Sequence, residues 1–166
     1  MQYAYYSRLR ASDKAIYRRS DAIETFKLAG SRELRPVVRR LEKALAAEDR
    51  HAVELTARKL AKELLGQLAV RPVTIKVLAT RPSDDWGELH GLYEEPEGRR
   101  RARITVWMRT ARHKKVVAFR TFLRTILHEI CHHLDYELLE LADSFHTEGF
   151  FKRESSLFHQ LVPAKR

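Results

Sequence analysis

Apolar residues recur at helical spacing in several long stretches of this chain and at strand spacing in a few short ones. Ser12-Asp13 reads as the cap of a helix running through Ile16, Tyr17, Ile23 and Phe26 to Gly30. After Gly30-Ser31, a second helix places Leu34, Val37, Val38, Leu41, Ala44 and Leu45 on one face, with Pro36 tolerable in its first turns. Beyond Glu48-Asp49 a third helix carries Val53, Ala57, Leu60, Ala61, Leu64 and Leu65 and ends near residues 66–69. The short link between these two predicts an antiparallel hairpin. Residues 1–12, with Tyr3, Tyr5 and Tyr6, read as an arm that packs on the body or frays.

The period changes after Arg71-Pro72. Residues 73–79 alternate and are rich in β-branched side chains, which predicts a strand. Residues 81–87 read as a loop, 89–93 as a short strand, 94–98 as a turn and 102–108 as a second clear strand. From Val116 to Leu141 the helical period returns, through Val117, Phe119, Leu123, Ile126, Leu127, Ile130, Leu134, Leu138 and Leu141. A further helix follows. The expectation is an α+β fold of N-terminal helices plus a small, mainly antiparallel sheet packed on the 116–141 helix. Residues 1–70 form the helical part and residues 71–166 the core, in one compact domain overall. Ile104 to Met108 is the expected edge strand beside a cleft, where an extended peptide can add.

The chemistry sits on that buried helix, where His128-Glu129-Ile130-Cys131-His132 reads H-E-x-x-H. Positions four apart share a helix face, so His128 and His132 can offer two imidazoles to one metal ion, with Glu129 near a water held there. Catalytic zinc needs a third protein ligand and an open position. Downstream stand His133, Asp135, His146, Glu148, Glu154 and His159. His133 points about 100° away around the helix. Asp135 is better placed to accept a hydrogen bond from a ligand imidazole. His146 follows a break near Asp143-Ser144, where the chain can fold back, and is the expected third ligand. Glu148 and Glu154 are the alternatives.

The run HEICHHLDYELLELADSFHTEGFFKRESSL resembles SprT-like zinc metallopeptidases and the related WLM group, through His128, Glu129, His132, His146, Gly149 and Phe150. Thr147-Glu148 is a departure, since the family pattern has its Gly sooner after the His. Arg103 to Arg109 is similar to the strand before the motif helix, and the resemblance spans about residues 73–160. It implies a minimal zincin fold around an active-site helix and a zinc-dependent peptidase. Zn2+ is then held by His128, His132 and His146, with Glu129 as general base and a protein or peptide as substrate. DNA or a DNA-bound protein is a further partner implied for some members. Tyr136, Tyr93 and Arg153 are candidate donors to the oxyanion.

Composition narrows this picture. At 166 residues the chain fits one domain, no apolar run approaches membrane-spanning length, and residues 1–5 show no secretory pattern. A single cysteine, Cys131, excludes an intrachain disulfide and the four-cysteine zinc ribbon that several SprT relatives carry. It reads as a buried thiol and fits a cytoplasmic location. The net charge is +10, and Arg99 to Arg124 holds ten basic residues and no acidic one. The helical first half reads as a scaffold, or as a partner-binding surface through Arg32, Arg35, Arg39 and Arg40, while the Arg99 to Arg124 block can attract nucleic acid or an acidic protein. A catalytically silent zinc module that binds through this surface is therefore one alternative function. A hydrolase of non-peptide amides is another.

Overall fold

A computed structural model describes residues 2–85 and 87–164; Trp86, in the expected 81–87 loop, lies outside the described residues. A 3-10 turn (Ala4–Arg8) leads into α1 (Ala11–Asp21), α2 (Ser31–Ala46) and α3 (Arg50–Gln67). Next come β1 (Thr74–Thr80), the two-residue strands β2 (Ser83–Asp84) and β3 (Gly87–Glu88), then β4 (Gly91–Glu94) and β5 (Arg103–Arg109). Helices α4 (Phe119–Glu137) and α5 (Glu148–Leu161) complete the α+β fold.

All six apolar positions expected on α2 and all six on α3 are buried. They meet across a hairpin whose second helix is capped by the Asp49 carboxylate, which accepts the Ala52 N–H at 3.0 Å. Helix α1 is shorter than its apolar pattern predicts. It ends at Asp21, and Phe26 and Leu28 reach the core from an irregular segment. Side chains of α5 hold that segment open. The Arg153 guanidinium donates to the Ser20 and Ile23 carbonyls, and Gln160 donates to the Phe26 carbonyl and accepts the Leu28 N–H.

The main sheet has the order β1-β5-β4, with β1 parallel and β4 antiparallel to β5, while β2 and β3 pair antiparallel in a separate ribbon. Strand β5 is therefore central, not the edge expected for Ile104 to Met108. Its five consecutive buried residues fit that place, since a strand covered on both faces loses its alternation. The outer edge of β1 is closed by α3. There Arg58 Nε donates to the Ile75 carbonyl at 2.9 Å, Arg50 to the Val77 carbonyl at 3.0 Å, and Glu54 accepts the Val77 N–H at 2.9 Å. Among the described residues no strand pairs with the far side of β4, so β4 is the open edge, and it lies against α4. No helix among the described residues is long and apolar enough to cross a membrane.

Candidate metal centre

Helix α4 buries its apolar stripe and turns His128 and His132 to one side. The helix stops at Glu137, short of the expected Leu138 and Leu141, and the chain turns through Glu140 at a positive φ of 51°; Leu138 is exposed, and Leu141 is buried beyond that turn. The connection to α5 then brings His146 back over the motif. His146 Nε2 lies 3.1 Å from His128 Nε2 and 3.0 Å from His132 Nε2. Zinc with Zn–N bonds of ~2.0–2.1 Å needs nitrogens about 3.3 Å apart in a tetrahedron, so the three atoms stand close to ligand spacing.

The outer nitrogens favour the same assignment. His128 Nδ1 donates to Glu154 Oε2 at 3.0 Å, and His132 Nδ1 donates to Ser144 Oγ at 2.7 Å. Each hydrogen bond puts the proton on Nδ1 and leaves the Nε2 lone pair free, which is the tautomer that binds metal. Burial drives the His132 imidazole down to about 3, reinforced by His128 and His146, and burial also lowers His146. Neutral imidazoles are the ligating form. The chain's own residues thus fit a zinc ion with three nitrogen donors.

Ser144 passes the link inward. Its hydroxyl donates to Asp135 Oδ2 at 2.7 Å, and Asp135 Oδ1 accepts from Arg153 Nη2 at 2.9 Å. Asp135 and Arg153 are both fully buried. Burial pushes the Asp135 carboxyl up, against the pull of Arg153 and Ser144. Asp135 therefore does not accept from a ligand imidazole itself, as the sequence suggested; Ser144 stands between it and His132. Arg153 is occupied by this ion pair and by Ser20, so it does not face the cleft as an oxyanion donor.

Glu129 is buried, and loss of water pushes its carboxyl up to about 7; His128 pulls it down and Glu154 adds to the rise. The side chain lies against β4 at Gly91, where a Cβ would sit 2.7 Å from Glu129 Oε1. A cleft of about 400 Å³ opens beside it, lined by Tyr93, Glu95, Glu129, His132, Tyr136 and His146. A second space of about 510 Å³ continues past Gly91 along Leu89, Arg124, Thr125 and Phe151. Tyr93 turns its hydroxyl onto His133 Nδ1 at 2.9 Å, whereas Tyr136 keeps a long 3.3 Å contact with Asp143. His133, as expected, points elsewhere, donating from Nε2 to the Arg71 carbonyl at 2.8 Å.

The remaining candidates fall outside the centre. Glu154 backs His128 and is not brought in as a ligand itself, Glu148 pairs with Lys152 at 3.3 Å, and His159 bonds within its own helix. Cys131 is buried and its thiol is pushed well up by burial. The ten basic residues between Arg99 and Arg124 do not form one patch. Arg103 and Arg109 pair with Glu94 and Glu48, and Arg120 and Arg124 stack over Phe158. Arg100 is half-buried and bonds Glu95 and Glu97, and the exposed remainder divides between Arg99 and Arg101 on one side and residues 112–115 on the other, at opposite ends of β5, roughly 20 Å apart at strand rise.

Sequence reasoning missed Ser144, Gly91 and Tyr5, whose hydroxyl donates to the His146 carbonyl at 2.7 Å. Nothing in local spacing marks them, because each acts on a residue distant in the chain. Comparison with protein-family models, curated proteins and solved structures found no match.

Proposed function

We propose that this chain is a zinc-dependent metallopeptidase of SprT-like character that hydrolyses peptide bonds in the cytoplasm. One observation carries the reading. Three Nε2 atoms converge while two of the rings have their Nδ1 protons committed to Glu154 and Ser144, with a buried glutamate next in sequence to the first ring. A purely structural site needs no such glutamate.

Zinc, when bound, acidifies a water molecule and polarises a carbonyl. The chain supplies the rest. Glu129 takes the proton of the attacking water and returns it to the departing amine. An extended substrate lies along β4 and uses the main-chain groups that no neighbouring strand takes among the described residues. Gly91 lets that strand approach Glu129 without a side chain between them. Tyr136 is the donor best placed at the cleft wall.

The test is Glu129→Gln, assayed on a dye-labelled denatured protein, a fluorogenic peptide panel and small amides. The expected result is full zinc content with peptide hydrolysis lowered by at least ~10²-fold. Wild-type-like turnover in the variant removes Glu129 from this role. Cleavage of small amides alone moves the chain to another hydrolase class. A silent module that binds nucleic acid through the basic surface draws less support, because that surface is divided.

A further inference from the structure

We infer that Tyr5 is a positioning residue for the third imidazole, which makes the N-terminal arm part of the metal centre. The inference rests on the three-histidine reading. His128 and His132 are fixed by the backbone of α4, but His146 is not. It lies in the connection between α4 and α5, just before Thr147 caps α5 by accepting the Phe150 N–H at 2.9 Å. It is also the exposed member of the three. A ligand on a loop must be ordered as the metal arrives, and that entropic cost weakens binding unless other contacts have already removed the freedom.

The arm makes those contacts. Across 141 positions the Tyr5 hydroxyl donates to the His146 carbonyl at 2.7 Å. The ring of His146 packs on Phe151 with centroids 5.7 Å apart, and Tyr3 meets Phe151 edge-on at 6.3 Å. The third ligand is thus reached from its backbone by Tyr5 and, through Phe151, from its ring by Tyr3.

The arm is itself anchored on α1. Tyr17 is fully buried, and the rings of Tyr5 and Tyr6 meet it edge-on at 5.7 and 5.0 Å. Its hydroxyl accepts the Tyr3 N–H at 3.1 Å. Helix α1 then grips the ligand loop on both sides of His146. Tyr17 contacts Phe145 at 6.3 Å, Ser20 lies 3.4 Å from the Thr147 hydroxyl, and Asp21 Oδ1 accepts the Gly149 N–H at 2.9 Å. Gly149 has to be glycine here, since a Cβ would collide with the Asp21 carbonyl.

The experiment compares full-length wild type, Tyr5→Phe and Tyr6→Phe. Zinc affinity is read by competition with a chromophoric chelator, and ligand geometry by the visible spectrum of the cobalt-substituted protein. Tyr5→Phe removes the hydroxyl that reaches His146 and keeps the ring on Tyr17. Tyr6→Phe keeps the ring on Tyr17 and removes a hydroxyl whose one hydrogen bond among the described residues, at 2.6 Å from Arg18, is exposed to solvent. The expected result is zinc binding weakened roughly five-fold in Tyr5→Phe, with shifted cobalt bands, and no change in Tyr6→Phe. Equal losses in both variants would reduce the arm to general packing and overturn the inference. Unchanged affinity and spectrum in Tyr5→Phe, with zinc bound by wild type, would overturn it while leaving the three-histidine centre standing. A wild type that takes up no zinc would overturn both.

Discussion

Replacing Ser144 by alanine cuts the His132–Ser144–Asp135 link at its middle and replaces no proposed ligand. Two losses follow from the geometry. His132 Nδ1 loses its 2.7 Å acceptor, so the ring is free to turn and its Nε2 lone pair is less firmly aimed. Asp135 Oδ2 loses its 2.7 Å donor within a fully buried site. Removing such outer partners of a ligating imidazole lowers metal affinity about 10–100-fold. Leaving a buried acceptor short of a hydrogen bond destabilises the fold by about 1–3 kcal/mol. The two effects separate by measurement. Chelator competition reads the first, and denaturant unfolding of the metal-free protein reads the second. Ser144→Thr keeps a hydroxyl and is expected to recover much of both. Zinc binding as tight in Ser144→Ala as in wild type would refute the argument that this link sets the ligand's tautomer and aim.

Three further outcomes follow from the geometry around the three histidines. Gly91→Ala puts a methyl 2.7 Å from Glu129 Oε1 and 2.9 Å from Thr125 Cγ2, so the carboxylate must move. Turnover is expected to fall about 10²-fold with zinc retained, read by kinetics beside elemental analysis; unaltered kcat counts against the role of that close approach. Arg153→Met strands the Asp135 carboxylate and takes donors from the Ser20 and Ile23 carbonyls. The expected cost is about 3–5 kcal/mol, seen as a lowered urea midpoint, and a midpoint within error of wild type contradicts it. Glu154→Ala removes the acceptor of His128 Nδ1 at the opposite ligand, and chelator competition is expected to show about a 10-fold weaker zinc site; unchanged affinity contradicts that.

What the sequence disclosed and what it hid divide along one physical line. The α2 and α3 faces were legible because each depends on its own 3.6-residue period, and every expected apolar position is buried. His128, Glu129 and His132 were legible because helix geometry alone places them. His146 was reachable from chemistry, as a histidine after a break. The early end of α1 was not, since Arg153 and Gln160 reach it from over 130 positions away. The apolar run of β5 did not say whether the strand was an edge or the centre; that depended on β1 and β4 pairing to either side. Ser144 and Tyr5 carry no local signal, because their partners are set only when α4, α5 and the arm meet.

The most direct measurement of the central claim is zinc content by elemental analysis of purified wild type and His146→Ala, each after zinc is added back and excess removed. Three converging Nε2 atoms predict about one zinc per chain in wild type and its loss in the variant. Zinc retained in full by His146→Ala, or none in wild type, would contradict the three-histidine centre.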